Sequence, residues 1–358
     1  MKILHVITDL KIGGESKHLV RVVSFLRTFE HVVSCLTLTS DPEGAPRTVR
    51  AELEALDVPV VDLGVSPDKP LSAVRAFLRL QRLVRREEPS ILHSTLIHAN
   101  LLSQPLAWRG RPVICSHVVT NPWLRNWQRT LERYIGKRAI FLANARAVAE
   151  ILVEAGLDPE RIRVLYYGVD CDHFCPEGPS ANLAGAEVLL GVGRLHPQKG
   201  FDDLIRAAAL LPGQPEVVLV GDGPLRAPLS QRAQDLGVRL TIVTAVRDVA
   251  PYLRRASAVV LPSLYEGLPN VLLEALATGC AVVATDLPGH QEVIRDGETG
   301  ILVPPYDVPA LARAIQRALS DDGSLGAEGR NAMLEHFRWE ACIERRRLLY
   351  ESVAAHAA

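Results

Sequence analysis

Two successive series of short β-branched runs, each run followed by an amphipathic segment, set the tightest limit on how this 358-residue chain folds. In the first series Ile3–Ile7, Val32–Leu38, Val58–Val61, Ser90–His93, Val113–Ser116, Ile140–Ala143 and Arg163–Tyr166 read as strands, with helical patterns between them. Such alternation calls for crossover connections and therefore for a mostly parallel sheet. The pattern breaks around Cys175–Gly185, where C-P-E-G-P-S-A-N-L-A-G is rich in Pro, Gly and Ser. It then restarts with strands at Val188–Gly191, Val217–Val220, Leu240–Val243, Ala258–Leu261, Ala281–Ala284 and Gly300–Val303. Helices are expected from about Gly200, over Leu225–Leu236, after Asn270 and over Val308–Leu319. The fold class is thus α/β, with two doubly wound Rossmann-like domains facing a central cleft and ligands at the carboxyl ends of the strands. The expected division is 1–176, 177–335 and a helical segment over 336–358, with the helix itself at His336–Val353.

The length suits two domains of roughly 150–200 residues, each with its own core. Hydrophobic residues at 48% and charged residues at 23% exclude a disordered chain. The opening M-K-I-L-H-V-I-T-D-L is too short and too polar for a leader and reads as a first strand. No run approaches the ~20 apolar residues that span a bilayer. A cytoplasmic protein is expected, either soluble or attached peripherally at the inner face of the membrane. The six cysteines are scattered, and Cys171 and Cys175 lack the paired spacing of a zinc site, so buried thiols in a reducing compartment are expected and no metal site. Net charge is −1, with a mildly basic front half and a mildly acidic back half. The absence of a dense basic stripe argues against nucleic acid and leaves room for an anionic acceptor or membrane surface.

The chemistry concentrates in a few loops. In S-L-Y-E-G-L-P-N-V-L-L-E-A-L-A-T (Ser263–Thr278), a buried-type strand precedes and a helix follows from Asn270, read as its N-cap, to Gly279 in the left-handed position past its end. Glu266 then lies in the loop and Glu274 about one turn into the helix, whose start offers amide donors and a positive dipole end to phosphate. In G-V-G-R-L-H-P-Q-K-G (Gly191–Gly200), a glycine turn after a strand presents Arg194 and Lys199, a planar fork and a point charge suited to a diphosphate. The double glycine Gly13–Gly14 in T-D-L-K-I-G-G-E-S-K allows close backbone approach at a helix start. It lacks the third glycine and following acid of a dinucleotide fingerprint. His93, Thr95 and His98 lie where a strand runs into a helix, and His117 and Asn121 follow another strand. Gly221, Asp222 and Gly223 form a tight turn. The basic, partly apolar stretches Leu71–Arg86 and Trp123–Arg129 suit either a solvated face or an anionic membrane surface.

The runs G-R-L-H-P-Q-K-G and E-G-L-P-N-V-L-L-E, in this order, resemble the signatures of the retaining glycosyltransferases of family 4, which have the two-Rossmann-domain GT-B architecture. The resemblance spans nearly the whole chain and is strongest from Gly191 to Pro305. It implies that Glu266 contacts hydroxyls of a donor sugar and Glu274 the nucleotide ribose, while Gly267, Leu268, Pro269 and Asn270 complete the donor loop. It implies that Arg194 and Lys199 hold the donor pyrophosphate, and that Gly13 and Gly14 touch it when the domains close. It also implies a last helix that crosses back onto the first domain. Relatives often carry H-x-H where this chain has His93 and Thr95, so His98 is favoured over His93 as the imidazole near the sugar. Tyr167 and Thr244 depart from residues common in the family. The expected substrate is a nucleotide-diphosphate sugar, a UDP-sugar first, passed to a glycan, lipid-linked or small-molecule acceptor without a cofactor or metal. No Asp-x-Asp metal motif of the other large transferase fold is recognised. A nucleotide-sugar epimerase on the same fold, a non-catalytic nucleotide-sugar-binding protein and a nicotinamide oxidoreductase are the rivals.

Overall fold

A computed structural model describes residues 1–11, 13–37, 48–65, 72–118, 126–244 and 246–356, apart from the side chains at 109 and 126–129. The chain forms two compact units. One comprises Met1–Val118, Pro122–Tyr166 and Cys342–Ala358, the other Val119–Asn121 and Tyr167–Ala341.

Among the described residues the first unit holds strands β1 (Lys2–Ile7), β2 (Glu30–Cys35), β3 (Val60–Asp62), β4 (Ile91–Thr95), β5 (Val113–His117), β6 (Ile140–Ala143) and β7 (Ile162–Val164). They form one parallel sheet in the order β3-β2-β1-β4-β5-β6-β7. β1 is central and its Ile3 and Leu4 are wholly buried, as expected of a strand covered on both faces. Strand order reverses between β1 and β4, and a ligand crevice forms at such a switch, above the carboxyl ends.

The second unit repeats the plan with β8 (Val188–Val192), β9 (Glu216–Val220), β10 (Leu240–Val243), β11 (Ala258–Leu261), β12 (Val282–Thr285) and β13 (Ile301–Val303), ordered β10-β9-β8-β11-β12-β13. The switch here lies between β8 and β11, which pair in parallel. The loops leaving these two strands are those that carry Arg194, Lys199 and Glu266, so topology brings distant motifs side by side.

The predicted strands all form, most with ends shifted by one or two residues; β2 stops at Cys35, and Leu38 lies outside the described residues. The C-terminal region differs from expectation. A helix at Ser324–His336 precedes the last one, which starts at Trp339 and runs to Ala355. The earlier helix carries glycines where a stripe of large apolar residues would announce it. Gly326 packs against the Gly279 carbonyl, which a Cβ would meet at 2.1 Å. The residues Cys342–Ala358 belong to the first unit, as the resemblance implied for the last helix. No described helix is long and apolar enough to cross a membrane.

Within the second unit, two arginines tie the segment that follows Tyr167 to the sheet domain. Arg254 donates to the carbonyls of His173, Cys175 and Pro179 at 2.7, 2.9 and 3.3 Å. Arg330 donates to the carbonyls of Phe174 (3.0 Å), Cys171 and Ala277. Val169 exchanges backbone hydrogen bonds with Phe337 and Trp339.

Candidate functional site

The loop after β8 is shaped by close backbone contact. Gly193 donates to the Val220 carbonyl and Leu195 to that of Asp222. Gly221 sits at φ +156°, and a Cβ there would stand 1.9 Å from the Gly193 oxygen, so only glycine lets the two loops touch. Arg194 projects from this turn and is exposed. A single 3-10 turn, Pro197–Lys199, then delivers Lys199, with His196 Nδ1 accepting from the Gln198 amide at 3.4 Å.

The loop after β11 is stapled to that turn. The Leu264 amide donates to the Gln198 carbonyl at 2.8 Å, and Gln198 Nε2 donates to the Tyr265 carbonyl at 3.0 Å. These bonds hold Lys199 against Glu266, and the ammonium pairs with Oε1 of the carboxylate. The side chains are 17% and 8% exposed, so the pair is largely removed from water. Ser263 Oγ donates to the same Oε1 at 3.2 Å. A carboxylate this buried requires such partners.

The helix Asn270–Ala277 follows. Asn270 is its first residue and not its N-cap. Pro269 takes that place, because its ring holds φ at −73° in an extended conformation (ψ 132°) and it offers no capping side chain. No side chain caps the helix start. Gly279 has φ +79° just past the helix end, as expected. Glu274 is half-buried on the helix, and Gly267 and Leu268 are buried in the loop.

Behind this loop lies a residue that the sequence reading missed. His290, in the short helix Pro288–Gln291, is wholly buried. Its Nδ1–H donates to the Thr285 carbonyl at 2.7 Å, and Thr285 Oγ1 donates to the Ser263 carbonyl at 2.6 Å. Gly289 abuts Gly267, whose carbonyl a Cβ at 289 would meet at 1.7 Å. Burial holds the His290 pKa below the ordinary histidine value, against the opposing pull of the Thr285 carbonyl. The only sequence signal was a histidine next to glycine after a strand, in L-P-G-H-Q.

In the first unit, Gly13 is the N-cap of the helix Gly14–Phe25, with Ser16 Oγ accepting from its amide at 3.1 Å. Its φ of −171° suits any residue, and a Cβ there would meet nothing nearer than the Lys11 carbonyl at 3.8 Å. The packing of the described residues does not demand glycine at 13. His98 is exposed on the helix Ile97–Ser103, just after Leu96 at a strained φ of +73°. His93 is turned inward. Its Nδ1 bonds Tyr350 Oη at 2.6 Å and its Nε2 bonds Ser116 Oγ at 2.7 Å. It belongs to a buried group with His5, His18 and Arg346, and burial lowers the pKa of each of these histidines, with the Arg346 charge adding to it. His117 lies 3.1 Å from Glu132; Asn121 and Trp123 lie outside the described residues.

One Asp-x-Asp does occur, Asp170–Cys171–Asp172, contrary to the expectation above. Its carboxylates serve the local fold. Asp170 Oδ1 accepts from the amides of Asp172 and His173, at 3.2 and 2.9 Å, and Asp172 pairs with Arg338 at 3.4 Å. No group of metal-ligating side chains is present among the described residues.

The family model "Glycosyltransferase Family 4" matches residues 12–173, and "Glycosyl transferases group 1" matches residues 186–321. The chain is 38% identical over 281 residues to the lipopolysaccharide core biosynthesis glycosyltransferase LpsE of Rhizobium meliloti, covering 75% of this chain and 77% of that one. It is 33% identical over 235 residues to D-inositol 3-phosphate glycosyltransferase of Streptomyces bingchenggensis, covering 58% of this chain but only 52% of that protein. In fold it is similar to Anabaena HepE crystallised with UDP and glucose, with a TM-score of 0.86, 21% identity and coverage of 98% and 100%. The protein belongs to the family 4 glycosyltransferases and has their GT-B fold.

Proposed function

We propose that the protein is a retaining, metal-independent glycosyltransferase that takes a hexosyl group from a nucleotide-diphosphate sugar. The observation that carries this is the Lys199–Glu266 pair beside the exposed Arg194, at the carboxyl ends of β8 and β11. As the bond from the sugar's anomeric carbon to the β-phosphate oxygen breaks, charge builds on the diphosphate. Arg194 and Lys199 stabilise that charge. The acceptor hydroxyl bonds to the anomeric carbon on the face the diphosphate leaves, and its proton passes to a phosphate oxygen. Glu266 holds sugar hydroxyls, Glu274 holds the ribose, and Gly267–Asn270 line the donor. By the family resemblance, Gly13 and Gly14 are assigned to the donor phosphate and His98 to the sugar. UDP and glucose in the complex with HepE favour a UDP-sugar donor. The likeness to LpsE favours a saccharide acceptor of the lipopolysaccharide-core kind. Transfer measured with excess chelator should proceed undiminished and give a product of retained configuration by NMR. A strict divalent requirement or an inverted product overturns the reading, and donor conversion without acceptor would favour an epimerase.

The helix Ser72–Glu87 supports peripheral attachment at the inner membrane face. It exposes Val74 and Leu78 at 57% and 45% among Arg75, Arg79, Arg82, Arg85 and Arg86. Sedimentation with anionic vesicles should carry the protein down at low salt and release it as salt rises. Equal recovery with neutral vesicles counts against it.

A further inference from the structure

His290 has no part in the mechanism above, yet it is built into the floor of the donor site. We propose that it is a positioning residue for Glu266, keeping that carboxylate's charge directed at Lys199 and the sugar by remaining a neutral acceptor. The inference rests on the reading of Lys199 and Glu266 as donor-binding groups.

Three observations carry it. First, the ring is fixed. Nδ1 must bear the proton it gives to the Thr285 carbonyl, which leaves Nε2 as a lone-pair acceptor. Thr285 is in turn bonded to Ser263, which bonds Glu266. Second, the backbone before the ring is held, since Gly289 bears directly on the Gly267 carbonyl, next to Glu266 in the loop. A shift of the short helix Pro288–Gln291 would displace Glu266 with it. Third, Nε2 is buried and has no hydrogen-bond partner among the described residues. A buried acceptor of this kind asks for an explanation.

The charged groups that bear on the ring supply one. They are Glu266 from the loop after β11, Lys199 from the loop after β8, and Asp286 at the end of β12. A neutral imidazole leaves Glu266 to Lys199 and Ser263. An imidazolium would carry its charge within range of Glu266 and draw on the carboxylate's field. It would add a second cation beside Lys199 as well. Burial disfavours that charged form, so the neutral state is the resting one.

The test compares His290→Leu, which fills the space without either nitrogen, with His290→Gln, which restores an amide donor and an acceptor. Single-turnover transfer rate, donor KM, affinity for the free nucleotide diphosphate and the pH profile of kcat are measured for each. His290→Leu should lower kcat about 10-fold while nucleotide affinity stays within about twofold. His290→Gln should recover most of that rate, and its acid limb should flatten because the glutamine does not titrate. The Gln variant keeps the packing polar and carries the test if the Leu variant fails to fold. Wild-type rates and an unchanged acid limb in both variants overturn the proposal. Glu266→Gln is run alongside. Full activity there overturns the site reading itself, whereas inactivity there with normal His290 variants overturns only the role of His290.

Discussion

Removing the ammonium at 199 separates what the ion pair does for the fold from what it does for the reaction. In Lys199→Met the stem is kept, and Glu266 is left with an 8%-exposed carboxylate side chain and Ser263 as its recorded hydroxyl donor at 3.2 Å. Breaking a buried pair by deleting one partner costs about 3–5 kcal/mol. Lys199 is 17% exposed and Ser263 remains, so the cost falls to the bottom of that range or below it, about 2–3 kcal/mol. For a unit of this size that is a fall of roughly 4–12 °C in the unfolding midpoint. Lys199→Met combined with Glu266→Gln removes both charges, and should regain at least half of the loss. Both variants should be without transfer activity. Differential scanning calorimetry of the wild type, both single variants and the double variant, beside single-turnover assays, gives the full cycle. A Lys199→Met protein as stable as the wild type, or a double variant no more stable than it, would refute the buried pair.

Glu274→Gln should weaken binding of both donor and free nucleotide diphosphate by about 1.5–3 kcal/mol, and Glu266→Gln should leave the nucleotide affinity and lose turnover; calorimetry and transfer rates with reversed effects would exchange the two roles. His5, His18 and His93 have pKa values held well below 6.5 in the fold, so the unfolded chain binds more protons below that pH. Their stabilising contribution is complete above about pH 6.5 and is lost as pH falls, by up to about 1.4 kcal/mol per pH unit for each histidine; denaturant titrations of His93→Gln should show a shallower acid slope than the wild type. Gly326→Val places its Cβ 2.1 Å from the Gly279 carbonyl and should cost at least about 2 kcal/mol, whereas Ala327→Val, at an exposed position on the same helix, should stay within about 0.5 kcal/mol.

The strands were legible because parallel strands covered on both faces are continuous apolar runs, as in Val217–Val220 and Ala258–Leu261. Periodicity is silent where packing depends on small residues, and this hid Ser324–His336, whose Gly326 and Gly329 face backbone and Leu276. The two site loops could each be read locally, but their ion pair joins residues 67 positions apart and follows from the β8–β11 neighbourhood. His93 and His98 look alike in a strand-to-helix run. Only the three-dimensional placement of Tyr350, 257 residues later, distinguishes the buried one. His290 escaped for a related reason, since a histidine's significance depends on what surrounds its second nitrogen.

The arginines that grip the segment after Tyr167 bear on how the chain is best dissected. Arg254 and Arg330 donate to five carbonyls between Cys171 and Pro179, Arg330 also to that of Ala277, and Val169 bridges to Phe337 and Trp339. That stretch therefore acts as a girdle of the second sheet. A fragment meant to carry the second unit alone should start no later than Tyr167. Starting beyond Pro179 would take three carbonyl acceptors from Arg254, leave Arg330 with that of Ala277, and leave the β8 end of the fragment unlaced.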